Sequence, residues 1–179
     1  HLEYWTHQEK YDSIGFVLSL EGADSILTFD HLYRLFQKGL RIIGPAHYGP
    51  GTYAYGTDSD GSLSDQGREL LRKMDELNMV LDLTHLSDTC FWEAIDLFQG
   101  TVWASHNNCR KLVDHNRQFT DEQLKVIIER KGIIGLPLDA WMMVPGWKRG
   151  LSNPQNTEVK LEHMIDHLVH ICEIAGSVD

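Results

Sequence analysis

Glu21, His47, His85 and His106 each follow a short apolar run in this sequence, and all four are metal-binding or acid–base residue types. The pattern is clearest between Asn78 and Asn108. Met79 to Thr84 is a mostly apolar run that ends in His85. Ser87 can cap a helix that continues to Phe98, where Gly100 stops it. Val102 to Ser105 is a second apolar run, and it ends in His106. Strand, histidine, helix, strand, histidine is the order that brings both imidazoles to one rim of a parallel sheet. Carboxylate plus imidazole suits zinc or a similar borderline metal. A carboxylate can also bridge two metals, and a metal pair can hold a hydroxide ready to attack a carbonyl.

The remaining elements must position these residues. Ile14 to Leu20 reads as a strand covered on both faces and leads to Glu21. Thr28 can cap a helix over Phe29 to Lys38, with Leu32, Leu35 and Phe36 on one face. Leu40 to Ile43 is the next strand and leads to His47. Tyr48 to Ser62 is a Gly-rich loop, long enough to suggest a functional role. Ser64 to Leu77 reads as a helix that buries Leu70, Leu71, Met74 and Leu77. After the polar loop that contains Arg117, Thr120 and Gln123 form a capping box for a helix ending near Lys131. Ile133 to Leu138 is a further strand, followed by a second long loop, Asp139 to Asn156. A last helix from Thr157 to Ala175 is expected to bury Leu161, Ile165, Leu168 and Ile171. About five βα units in alternation imply a parallel sheet with right-handed crossovers. An open doubly wound sheet and a (β/α)8 barrel both satisfy that pattern. Neither GxGxxG nor GxxxxGKS occurs.

The 179 residues suffice for a single domain, taken as 1–179. A net charge of −10 argues against nucleic acid or an anionic membrane surface as the main partner. No apolar run reaches the ~18 residues of a membrane span. The chain opens on His1 with a polar stretch and no visible signal peptide, so a soluble protein is expected, its compartment cytoplasmic or extracytoplasmic. Cys90 and Cys172 read as buried core thiols, and Cys109 is a minor candidate for a soft ligand. His1, His7, His31, His115, His163, His167 and His170 read as solvated or helix-surface residues.

Four motifs together carry a resemblance. LEGAD at Leu20 to Asp24, LDLTH at Leu81 to His85, ASHNN at Ala104 to Asn108 and HNRQFTDEQ at His115 to Gln123 resemble, in order and spacing, the renal (membrane) dipeptidase family of zinc peptidases. That family is one of the metal-dependent amidohydrolase barrels. The resemblance implies a (β/α)8 barrel that hydrolyses the peptide bond of dipeptides with a metal-activated bridging water. It implies that Glu21 bridges two zinc ions and that His85 and His106 bind the second. It implies that His47 contacts substrate and polarises the scissile carbonyl, and that Arg117 holds the substrate's free carboxylate. Family members are often homodimers, so a homodimer is expected.

The sequence departs from the family in three places. Gln118 stands where the family has Asn. The first-strand HxD motif that completes the first zinc's ligands does not occur. The late strand bearing an Asp would begin where the sequence stops. The barrel is therefore expected to be incomplete here, without its first two strands and its last. Two other readings stand beside dipeptide hydrolysis. One is another amide or lactam hydrolase of the same superfamily. The other is a non-catalytic fragment or degenerate homologue that only packs with a partner.

Overall fold

A computed structural model describes residues 15–177. Five parallel strands lie side by side in chain order: β1 (Leu18–Glu21), β2 (Leu40–Gly44), β3 (Val80–Asp82), β4 (Val102–Ala104) and β5 (Ile133–Ile134). Between and after them run α1 (Phe29–Gln37), α2 (Asp65–Glu76), α3 (Asp88–Leu97), α4 (Asp121–Glu129), α5 (Ala140–Met143) and α6 (Leu161–Ala175). A doubly wound sheet reverses its strand order part-way across. This sheet never reverses, so its order is that of consecutive barrel strands.

Local chemistry sets the helix starts. The Thr28 hydroxyl accepts the His31 N–H, and Ser64 and Ser87 do the same for Gly67 and Cys90. At α4 the capping box is complete: Gln123 donates its N–H to Thr120 Oγ1 while its side-chain oxygen accepts the Thr120 N–H at 2.9 Å. The core lies between helices and sheet and contains Leu32, Ile43, Leu70, Leu71, Met74, Leu81, Phe91, Phe98 and Leu124. Burial of each such side chain stabilises the fold by roughly 1.5–3 kcal/mol.

Several expectations need correction. Ile14 lies outside the described residues, and the rest of its run is not covered on both faces. Phe16, Val17 and Leu18 are exposed, because β1 pairs only with β2 among the described residues. The last strand stops at Ile134 rather than Leu138. Gly135 still donates to Ala104 O, but Pro137 has no N–H to continue the ladder. The loop after it contains the short helix α5. Thr157 does not begin the last helix: its N–H and that of Asn156 close a turn onto Asn153 O. Cys90 is buried as expected, whereas Cys172 is only half-buried.

The largest correction concerns the side of α6 that faces inward. Leu161, Ile165 and Leu168 are exposed, Ile171 is half-buried, and His167 is fully buried. Hydrogen bonding accounts for the orientation. His167 Nδ1 accepts the Cys109 N–H at 3.1 Å, and its Nε2 lies 3.2 Å from Met143 O. Both backbone groups are buried and need partners. One imidazole thus satisfies a donor on the β4 rim loop and an acceptor at the end of α5. His167→Ala is expected to destabilise the protein by about 1–3 kcal/mol for each group left unpaired. A urea midpoint lowered at unchanged slope would show it, and an unchanged midpoint would remove His167 from this role.

Candidate metal centre

Parallel strands deliver the predicted site residues to one rim. Glu21 ends β1, and His47, His85 and His106 follow within three residues of the ends of β2, β3 and β4. Glu21 Oε1 lies 2.9 Å from His85 Nε2, 3.1 Å from His106 Nε2 and 4.0 Å from His47 Nε2. Donor atoms of Glu21, His85 and His106 all lie within 4.8 Å of one another. Ligands around a tetrahedral zinc, each about 2.0–2.2 Å from the ion, stand roughly 3.4 Å apart. One carboxylate and two imidazoles at this spacing fit such an ion. His47 stands at the side of this group, its ring centroid 4.5 Å from that of His85.

A second set of contacts fixes how the imidazoles point. His85 Nδ1 lies 2.9 Å from Thr57 Oγ1, and His106 Nδ1 lies 2.8 Å from Ser105 Oγ. With Nδ1 engaged, each ring presents Nε2 to the centre. His85 also has a φ of 71°, left-handed backbone that a residue with a Cβ rarely adopts. Beneath the two histidines, Asp82 Oδ1 accepts the N–H groups of Thr84 and Ser105 at 3.0 and 3.1 Å. Thr57 belongs to the long loop after His47, and its N–H donates to His47 O. Gly56 makes that approach possible, because a Cβ there would stand 2.0 Å from the same carbonyl oxygen.

Electrostatics keeps the imidazoles neutral. Burial, followed by the nearby Arg117 cation and the neighbouring His47 and His106, pushes His85 down to about 2. Burial and Arg117 also lower His106. The close approaches of the two Nε2 atoms to Glu21 Oε1 are therefore convergence of neutral rings and a carboxylate on one point rather than ion pairs, even though a carboxylate 2.9 Å away favours imidazolium. Neutral imidazole is the form that binds a metal.

Arg117 is buried, and burial lowers its pKa to about 10, which still leaves it cationic at neutral pH. Its guanidinium donates to Asn107 Oδ1 at 2.9 Å and to His106 O at 2.8 Å. Gln118 beside it is fully buried, accepting the Asn108 N–H and donating to Met142 O. Cys109 takes no part. Its Sγ lies against His167 O, and burial pushes the thiol up to about 12.

Glu21, His47, His85, His106 and Arg117 line one cavity of about 290 Å³. Tyr48, Asp139, Trp141 and Arg149 line it too. They belong to the two long loops, Tyr48–Ser62 and Asp139–Asn156, which were expected to shape the pocket, but the sequence singled out none of the four as a site residue. Asp139 had a usable signal: it follows the fifth strand as the four predicted rim residues follow theirs. Thr57 and Asp82 carried no such signal, because the bonds that matter here reach His85 and Ser105, distant in sequence. Ser105 carried none because a serine beside a histidine is ordinary until the fold turns its hydroxyl onto the ring.

A family model described as membrane dipeptidase (peptidase family M19) matches residues 4–179. The chain belongs to that family. Dipeptidase tcpJ of Claviceps purpurea is 27% identical over 160 residues, covering 87% of this chain and 36% of that protein. A metallo peptidase from Rhodobacter sphaeroides, solved with a phosphinate mimic of the dipeptide L-Ala-D-Ala, superposes with a TM-score of 0.75 at 26% identity, over 89% of this chain and 46% of that one. The M19 dipeptidase AC gives a TM-score of 0.77 at 27% identity, over 89% and 48%. The chain thus spans about half the length, or less, of the relatives it matches. These likenesses identify the five-stranded sheet as part of an M19 barrel, as the strand order required. Membership also makes the protein a metallopeptidase relative. Among the described residues no helix is long and apolar enough to cross a membrane.

His85, His106 and His167 are all lowered from the ordinary imidazole value of 6.5. Groups whose pKa is depressed on folding bind more protons when unfolded, so their contribution is complete above the unfolded pKa and is lost as pH falls below it. With a chelator present, denaturant stability is expected to fall steadily as pH drops below about 6.5. A stability profile flat from pH 7 to 5 would contradict neutral burial of these rings.

Proposed function

We propose that the protein is a zinc-dependent dipeptidase and that Glu21, His85 and His106 hold a zinc ion. The observation that carries this reading is the convergence of those three donors beside a buried arginine in one cavity. Such an ion would supply Lewis acidity toward a scissile carbonyl and toward water. The family resemblance implies that Glu21 would also serve a second ion. No HxD occurs in this sequence, so the donors described here amount to one ion's set and the bridging carboxylate.

The chain's own residues have distinct tasks. Arg117 binds the substrate's free carboxylate, and its clamp on Asn107 and His106 O fixes the guanidinium before substrate arrives. That link also ties carboxylate recognition to the backbone of a metal-binding histidine. His47 is exposed at the cavity wall and donates a hydrogen bond where negative charge develops on the carbonyl oxygen. Thr57 and Ser105 keep the metal-facing nitrogens of His85 and His106 aimed. A dipeptide substrate agrees with the dipeptide mimic in the Rhodobacter sphaeroides relative.

His85→Ala and His106→Ala are each expected to lower bound zinc, measured by elemental analysis, and to reduce dipeptide hydrolysis at least ~100-fold. Undiminished zinc in both variants would remove them as ligands. Arg117→Ala is expected to lower kcat/KM for free dipeptides by ~10–100-fold, the equivalent of a lost charged hydrogen bond. Dipeptides blocked as C-terminal amides should lose much less. Equal losses on both would show that Arg117 serves only to support the rim.

A further inference from the structure

A second hollow opens beside the metal-centre cavity. It measures about 230 Å³ and shares Tyr48, Trp141 and Arg149 with the larger one. Asp58, His115 and Trp147 complete its wall. None of the roles assigned above uses it, although a substrate seated between Arg117 and the metal ligands lies next to its entrance.

The junction between the two spaces is built around one guanidinium. Asp139 Oδ2 accepts the Trp141 indole N–H at 2.9 Å and also accepts from Arg149 Nη2. The Arg149 guanidinium carbon lies 4.8 Å from the centre of the Trp141 ring. Arg149 is thus held by a carboxylate on one side and stacked on an indole on the other. A guanidinium has five donors, and the Asp139 contact uses one of its edges. Tyr48 takes up part of the remaining capacity, yet the side chain remains 62% exposed, which leaves donors toward the hollow for a ligand.

The sign of the preferred ligand follows from what is already engaged. Arg149 occupies one face of Trp141 and the His115 ring packs against the same indole, so both compete with a ligand cation for that ring. Asp139 is taken by two donors. Asp58 is the other carboxylate, and it stands 3.7 Å from His115, whose ring packs edge-on against Trp141. At the junction itself, the unspent polar capacity is donor capacity.

We propose that this hollow is a side-chain subsite and that Arg149 is its specificity-determining residue, selecting dipeptides that carry an acidic side chain. The proposal rests on the dipeptidase reading and adds a substrate class to it. Asp139 acts through Arg149 as a positioning residue, and Trp141 forms the floor.

The test compares kcat/KM for Ala-Ala, an Ala-Asp or Ala-Glu pair in both stereochemistries at the second residue, the same acidic side chains placed on the first residue, and Ala-Lys. It uses the zinc-loaded protein and its R149Q, R149K and D139N variants. The expected result is that at least one acidic dipeptide exceeds Ala-Ala, and that R149Q lowers the acidic-to-Ala-Ala ratio at least about tenfold. R149K should retain part of the ratio, because it keeps the charge but not the fork. D139N should fall between wild type and R149Q. If R149Q lowers acidic and neutral substrates by the same factor, Arg149 supports the cavity without selecting, and the proposal fails while the dipeptidase reading stands. A preference for Ala-Lys that R149Q strengthens would assign the hollow to cations through Asp58 and overturn the proposal. If no dipeptide is hydrolysed, the dipeptidase reading fails and this one fails with it.

Discussion

The site depends on a single buried carboxylate. Asp82 ends β3, and one of its oxygens accepts the backbone N–H of Thr84 in its own rim loop and that of Ser105 in the next. Parallel pairing alone aligns only Leu81 with Val102 and Asp82 with Trp103. After the Leu83 N–H bond to Trp103 O the backbone leaves the ladder, and without Asp82 the N–H groups of Thr84 and Ser105 in two turning loops would lose their common acceptor. Thr84 extends the tie: its hydroxyl accepts from Ser105 Oγ, which in turn holds His106 Nδ1. The His106 imidazole is therefore aligned by a chain of hydrogen bonds that begins beneath it, while Thr57 Oγ1 aims the His85 ring from the loop after β2. Together they give a rim built from short strands the precision that the proposed metal site needs.

The same rim solves an electrostatic problem. Burial disfavours any imidazolium here and the field of the buried Arg117 adds to it, and together they lower both His85 and His106 toward the neutral form. Arg117 is in turn satisfied by acceptors rather than by a carboxylate: Asn107 Oδ1 and His106 O. A direct carboxylate partner would have neutralised the charge that, in the proposed function, a substrate carboxylate meets. Neutral oxygen acceptors fix the guanidinium in place and leave its charge available.

The alternation of strands and helices was legible from the sequence because it is written in local signals. Thr28, Ser64, Ser87 and Thr120 each act as a helix cap in the structure. The residues after β1 to β4 were legible because the fold repeats one position. What failed did so for tertiary reasons. The apolar spacing of α6 pointed to Leu161, Ile165 and Leu168 as its inner face, but two buried backbone groups on other elements needed His167. Hydrophobic period gives the direction of a helix face only when no stronger partner competes for it. Strand ends shifted where Pro137 removed a donor. Asp139 and Arg149 lay inside a stretch that read as irregular loop, and α5 with its following turns is what brings them together.

The division of labour within the rim follows from strand length. β3 and β4 have three residues each and β5 has two, so ladder hydrogen bonds cannot by themselves hold the loops that carry function. Side-chain amides take over. Asn107 Nδ2 donates to Arg117 O, Asn108 Nδ2 to Pro137 O and Met142 O, and Gln118 Nε2 again to Met142 O. The loop after β4, the Arg117 loop and the segment after β5 become one connected body through three amide side chains. His167 joins α6 to that body through Cys109 and Met143. Residues that share such a network do not act independently, so substitutions at Asn107, Asn108, Gln118 and Arg117 belong to one thermodynamic unit. Gln118 fits this view: its side chain reaches both the Asn108 N–H and Met142 O and so becomes a bracing contact on the rim that bears the arginine.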